Sequence, residues 1–105
     1  MGLTVTTYNG GSYDFDGPHA NVGDLHKMSG VYLISTILNG YHSVIDIGES
    51  HNVHDRVSNH DRGHLWPNYA VDGKLYVSAL YCDEPTRMTI ETQLRAFHNP
   101  PVGDR

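Results

Sequence analysis

Three things are scarce in this chain of 105 residues: cysteine, positive charge and long apolar runs. The one cysteine, Cys82, permits no internal disulfide and no cysteine-based zinc site. Lys and Arg number 7 against 12 Asp and Glu, a formal net charge of -5. A protein that holds nucleic acid by general surface charge is basic, so any nucleic-acid reading here must rest on a local site. No apolar run approaches the roughly 20 residues that cross a bilayer, and no basic-then-apolar signal opens the chain. These absences lead to the expectation of a cytoplasmic protein with no membrane association. Repeats and low-complexity segments are also lacking. The length suits one domain, residues 1–105, with a modest core.

What is present reads as strands, turns and two helices. Leu3, Val5 and Thr7 alternate with polar residues, Tyr13 and Phe15 follow, and Asn9-Gly10-Gly11 lies between them, which predicts a hairpin. Residues 18–29 are polar, with Pro18 and Gly23, and read as loop or one short helical turn. "GVYLISTIL" from Gly30 is β-branched and aromatic, hence a strand, and Asn39-Gly40 is a turn signal. The next strand, "SVIDIG", is expected to start after Tyr41 and His42. Its alternation places Val44, Asp46 and Gly48 on one face and Ile45 and Ile47 on the other, which makes Asp46 the odd residue. "KLYVSALYC" is a third strand. Asp83-Glu84-Pro85 then begins a helix expected over about Thr86 to Phe97, with Ile90, Leu94 and Phe97 as its apolar stripe and Glu91 at the stripe's edge.

The segment "HNVHDRVSNHDR" is the most informative. A helix is expected from Asn52 to His60, with Ser50 or Asn52 as its cap. Val53 and Val57 share one face, and Arg56 and His60 fall on the same side. The docking face of this helix therefore carries a cation and an imidazole, aimed toward the sheet.

Gly30-Val31-Tyr32, with Asp46-Ile47-Gly48 beginning fourteen residues after the tyrosine, resembles the paired motifs of the GIY-YIG nucleases. The resemblance continues with Arg56 ten residues beyond Asp46, His60 four residues later, and Glu91 in "IETQL" on the last helix. It spans residues 29–103 and leaves 1–28 as an N-terminal extension carrying the extra hairpin. It implies an α/β (α+β) fold with a small, mainly antiparallel three-stranded sheet flanked by helices. It also implies metal-dependent hydrolysis of DNA phosphodiesters, with RNA not excluded. On this reading Glu91 holds a divalent metal, Mg²⁺ or Mn²⁺, and Arg56 clamps the phosphate. Tyr32 acts as base or orients the attacking water, and His60 helps to deprotonate Tyr32 or the water.

Two positions depart from that pattern. Asp46 stands where the second motif begins with tyrosine, and Gly103 stands where an asparagine is usual, with Asn99 a displaced substitute. Asp46 would give the metal a second carboxylate, hold Arg56 in place, or disable the site. With no second DNA-binding domain, a homodimer or a protein partner would supply specificity. The alternative is a catalytically impaired domain of the same fold that binds nucleic acid or protein. Plainer roles also exist for each residue. Tyr32 would be a core aromatic, Arg56 an ion-pair partner of Asp46, Glu49 or Glu91, and His60 a helix C-terminal residue favoured by the dipole. Glu91 would be a solvated helix residue. The pairs His51/His54 and His60/His64 lack a full zinc ligand set. Trp66 and Tyr69 read as loop anchors before base-stacking groups.

Overall fold

In the computed structural model, which describes residues 2–103, the chain forms β1 (Gly2–Thr6), β2 (Ser12–His19), β3 (Gly30–Leu38), β4 (Tyr41–Ser50), α1 (Val53–Ser58), β5 (Tyr76–Tyr81) and α2 (Glu84–His98). The outermost residues of the expected domain, 1 and 104–105, lie outside the described residues. Short 3-10 segments occupy Tyr8–Gly10, Val22–Asp24 and Gly63–Tyr69. None of the helices is long and apolar enough to cross a membrane, among the described residues.

The run from Gly30 to Thr36 is buried throughout, because β3 is covered on both faces. The sheet has five strands in the order β1-β2-β5-β3-β4, with every strand pairing antiparallel. This corrects the expected three-stranded sheet. The N-terminal hairpin is not an appendage, because β2 pairs with β5 through Asp16↔Ala79 and His19↔Val77. The register slips between those two pairs, across Gly17-Pro18, where the proline has no N–H to give the ladder.

Alternation along β3 divides the core. Tyr32 and Ile34 pack with Val53 and Val57 of α1, Trp66 and Val77, while Val31 and Leu33 pack with Phe15, Ile47, and Ile90 and Leu94 of α2. The expectation that Ile45 and Ile47 share a face does not hold. Ile34 pairs with Asp46 and Ser35 with Val44, so Ile45 is an extra, bulged residue, and it joins the α1 side. β4 also starts earlier than expected, at Tyr41, directly after a two-residue turn in which Asn39 (φ 53) and Gly40 (φ 83) both take positive φ.

The first helix is shorter than expected. Asn52 caps α1 by accepting from the Asp55 N–H at 3.1 Å, but the helix stops at Ser58. The Ser58 hydroxyl bonds back to the His54 carbonyl at 2.8 Å, and the Asn59 amide bonds to the Asp55 carbonyl at 3.1 Å. His60 therefore sits in the turn beyond the helix. α2 runs longer than expected, starting at Glu84 after its Asp83 cap, whose side chain accepts from the Thr86 N–H.

β4 is an edge strand, and the C-terminal tail closes part of that edge. The Val102 N–H donates to the Ile45 carbonyl at 3.0 Å, and Val102 is buried in the α1-side cluster. The tail therefore passes from α2, on one face of the sheet, round the edge to the other.

Gly48 lies opposite Tyr32 on β4, and a Cβ there would stand 2.1 Å from the Tyr32 hydroxyl oxygen. Gly48→Ala is expected to lower stability by about 1–3 kcal/mol, because the ring must leave its place. Urea denaturation checks this, and an unchanged midpoint would show that the ring does not occupy that position.

Candidate active site

A single fully buried carboxylate organises this corner of the molecule. Asp46 is 0% exposed and sits on β4 opposite Ile34, on the α1 side. Its Oδ1 accepts from Arg62 Nη2 at 3.3 Å and Arg95 Nη1 at 3.0 Å, and its Oδ2 accepts from Arg62 Nε at 3.2 Å and Trp66 Nε1 at 2.9 Å. Both oxygens are thus committed to protein donors. Arg95, 2% exposed, also donates to the Ile47 carbonyl at 2.5 Å and the Val102 carbonyl at 3.1 Å. Gly103 packs on that guanidinium: with φ 111, its added Cβ would fall 2.2 Å from Arg95 Nη2.

The partners differ from those expected. Asp46 holds Arg62 and Arg95 rather than Arg56, Glu49 binds Arg87 at 2.6 Å, and Arg56 pairs with Asp61 at 3.2 Å. Arg62 and Arg95 are therefore the site residues that sequence reasoning passed over, and Trp66, read as a loop anchor, also holds Asp46. The adjacency of Asp61 and Arg62 to His60, and an arginine directly after the buried Leu94, were the available signals.

Tyr32 of β3 meets His60 across this corner. Tyr32 Oη and His60 Nε2 are 2.5 Å apart, and the Arg62 N–H donates to His60 Nδ1 at 2.9 Å. Nδ1 is thereby the acceptor, so in the neutral ring Nε2 carries the proton and donates it to the phenol oxygen. Burial, with Arg56 and Arg62 nearby, pushes the His60 pKa down to about 4, so the ring is neutral at pH 7. Burial and the Asp46 charge push Tyr32 up to about 12, opposed by Arg62 and Arg56. Tyr32 is 1% exposed and the His60 side chain 0%, whereas the side chains of Arg62, Arg56 and Asp61 are 27%, 37% and 74% exposed and form the rim. A shallow groove of about 260 Å³ runs beside Arg56, lined also by Ser50, His51, Asn52, Asp55 and Asn59.

The structure thus gathers Tyr32, Asp46, Arg56 and His60 on the α1 side of the sheet. Glu91 belongs to α2, which covers the opposite face. It is half-buried and lies one turn after Arg87 and one turn before Arg95, both of which reach β4. That stripe turns toward the edge strand. Of the histidine pairs, His54 pairs with Asp55 and His60 with Tyr32, and no group of three or more His, Cys, Asp or Glu that could hold a metal ion occurs among the described residues. Comparison with known proteins finds no match to a family model, a curated sequence or a solved structure.

Two outcomes follow from this geometry. Asp46→Asn removes the charge facing Arg62 and Arg95 and leaves a buried cation uncompensated, so a loss of about 3–5 kcal/mol is expected in urea denaturation. A change below about 1 kcal/mol would mean the carboxylate is not buried among them. The second concerns pH. His60 has a folded pKa of about 4, below its ordinary 6.5, so its contribution is present above pH 6.5 and lost as pH falls toward 4. Over that window His60→Gln is expected to flatten the pH dependence of stability by up to one proton, about 1.4 kcal/mol per pH unit. Equal slopes for the two proteins would show that His60 is not held neutral.

Proposed function

We propose that this domain is a metal-dependent endonuclease that hydrolyses DNA phosphodiester bonds in the manner of the GIY-YIG enzymes it resembles. The observation that carries the reading is the 2.5 Å contact between Tyr32 and His60 with Arg56 and Arg62 beside it. It sets a polarised hydroxyl among cations in one corner of a chain whose net charge is -5. Phosphodiester hydrolysis requires an aligned water and positive charge for the oxygens of the transition state. Tyr32 is a phenol at neutral pH, and His60 donates to its oxygen rather than accepting from it. A phenol held protonated in this way is poorly suited to take a proton from water, and it holds Arg56, which also hydrogen-bonds it, beside the phosphate position. This favours the orienting role for Tyr32 over the role of base. Arg56, with a planar guanidinium at the rim, holds the phosphate oxygens.

Glu91 would hold the metal from the β4 edge, since its helix covers the face opposite Tyr32, Arg56 and His60. One carboxylate fits Mg²⁺, which keeps several waters and completes its shell with substrate oxygens, and does not fit a closed protein cage. When bound, such an ion stabilises the leaving oxygen. Asp46 contributes through Arg62 and Arg95, since its own oxygens are taken.

A second reading is favoured by burial. Tyr32 and the His60 side chain are closed to solvent, which suits a catalytically impaired domain that binds nucleic acid or protein with its rim. Nicking of supercoiled plasmid with Mg²⁺ or Mn²⁺ separates the two. The wild type is expected to nick, and Tyr32→Phe and Glu91→Ala to lose at least about 100-fold in rate. Equal nicking by all three proteins would mean that the activity lies elsewhere. No cleavage of DNA or RNA by the wild type would favour the binding domain.

A further inference from the structure

Arg62 has the geometry of a residue held ready for a ligand. Its Nε and Nη2 face the Asp46 carboxylate at 3.2 and 3.3 Å, and none of its described hydrogen bonds uses Nη1. In a planar guanidinium the remaining N–H groups point away from that carboxylate. Arg62 is also where the buried network reaches solvent, with 27% of its side chain exposed, against 0% for Asp46 and 2% for Arg95. Asp46 is bonded from two further directions, by Arg95 and Trp66, so the carboxylate that orients Arg62 cannot turn. At the rim, Arg56 pairs with Asp61 at 3.2 Å beside Arg62, so two guanidiniums stand together at the solvent end of the network.

We infer that Arg62, oriented by Asp46, is a second phosphate-binding residue, which grips the DNA backbone together with Arg56. This deepens the nuclease reading only in assuming that the site takes a phosphate backbone. Arg62 meets the backbone from the turn after α1, and Arg56 meets it from α1 itself. Asp46 acts at one remove, as the positioning residue that fixes the fork. Preorganisation matters here because a long side chain already held in one geometry loses little freedom on binding.

The salt dependence of binding tests this directly. Binding of a labelled duplex of about 20 bp is followed by fluorescence anisotropy in EDTA, over roughly 50 to 200 mM salt. Each phosphate contact contributes about one counterion, so Arg62→Gln is expected to lower the slope of log affinity against log salt by about 1. Arg62→Lys keeps the charge and is expected to keep the slope, which a merely structural role would not predict. An unchanged slope in Arg62→Gln overturns the inference, as does a wild type with no measurable affinity for the duplex. Should Arg62→Gln fail to fold, arginine modification of the wild-type protein by phenylglyoxal, mapped by mass spectrometry, decides the matter. The duplex is expected to protect Arg62, and equal modification with and without it counts against the proposal. A lowered slope without any nicking leaves Arg62 as a backbone contact and removes the nuclease, whereas nicking with an unchanged slope does the reverse.

Discussion

The rest of the molecule depends on how it accommodates one negative charge in its interior. An ionised carboxylate at zero exposure carries a desolvation cost of several kcal/mol, which only close and numerous donors offset. Asp46 receives four hydrogen bonds from Arg62, Arg95 and Trp66. These come from the turn after α1, from α2 and from the Gly63–Tyr69 segment. A side chain in the middle of a sheet would be limited to one face. Asp46 lies on an edge strand, so Arg95 reaches it round the edge from α2, while Arg62 and Trp66 approach over the α1 face. The ionic cluster thereby joins the two layers that the sheet separates.

That arrangement also solves the problem of the open edge. An edge strand exposes a row of unpaired carbonyls and N–H groups that invite another strand. Over β4, Arg95 takes the Ile47 carbonyl and the tail's Val102 takes that of Ile45. The tail must come close to the guanidinium to do this, and Gly103, at φ 111 with no room for a Cβ, permits the approach. The glycine at 103 thus has a sufficient packing reason of its own. The short α1 belongs to the same economy of structure. Two buried valines suffice for it, because the turn that follows is pinned by His60 to Tyr32 and by Arg62 to Asp46.

Much of this was legible in the sequence, but unevenly. The β3 run, the Asn39-Gly40 turn, the Asp83-Glu84-Pro85 helix start and the Val53/Val57 pair are local signals, and local signals report local structure. Pairing of the hairpin with β5 joins residues some sixty positions apart, such as Asp16 and Ala79, and no periodicity encodes that choice. The bulge at Ile45 was equally hidden. A strict alternation placed Ile45 with Ile47, and one inserted residue reversed it. Asp46 stood out as a charge within an apolar strand, yet its partners did not. Arg56 was the nearest arginine in the expected helix, but Arg62 and Arg95 won because they approach from segments whose positions only the tertiary fold sets. The end of α1 at Ser58 matters most for the site. It moves His60 off the helix and into a turn, where its Nδ1 can accept the Arg62 N–H and its Nε2 can face Tyr32.

The chemistry of Tyr32 follows from the same charge. Burial and Asp46 together hold the phenol protonated, while Arg62 and Arg56 oppose them. Were Asp46 bare, its field would dominate and no anion would approach. Arg62 lies on Asp46, so the part of this pair that reaches solvent is a guanidinium. On the proposed reading, the anion at 46 is then no bar to a phosphate at this corner. The Asp46 carboxylate and Arg95 are turned inward, Arg56 and Arg62 reach the rim, and Tyr32 and His60 form a neutral hydrogen-bonded pair beside them.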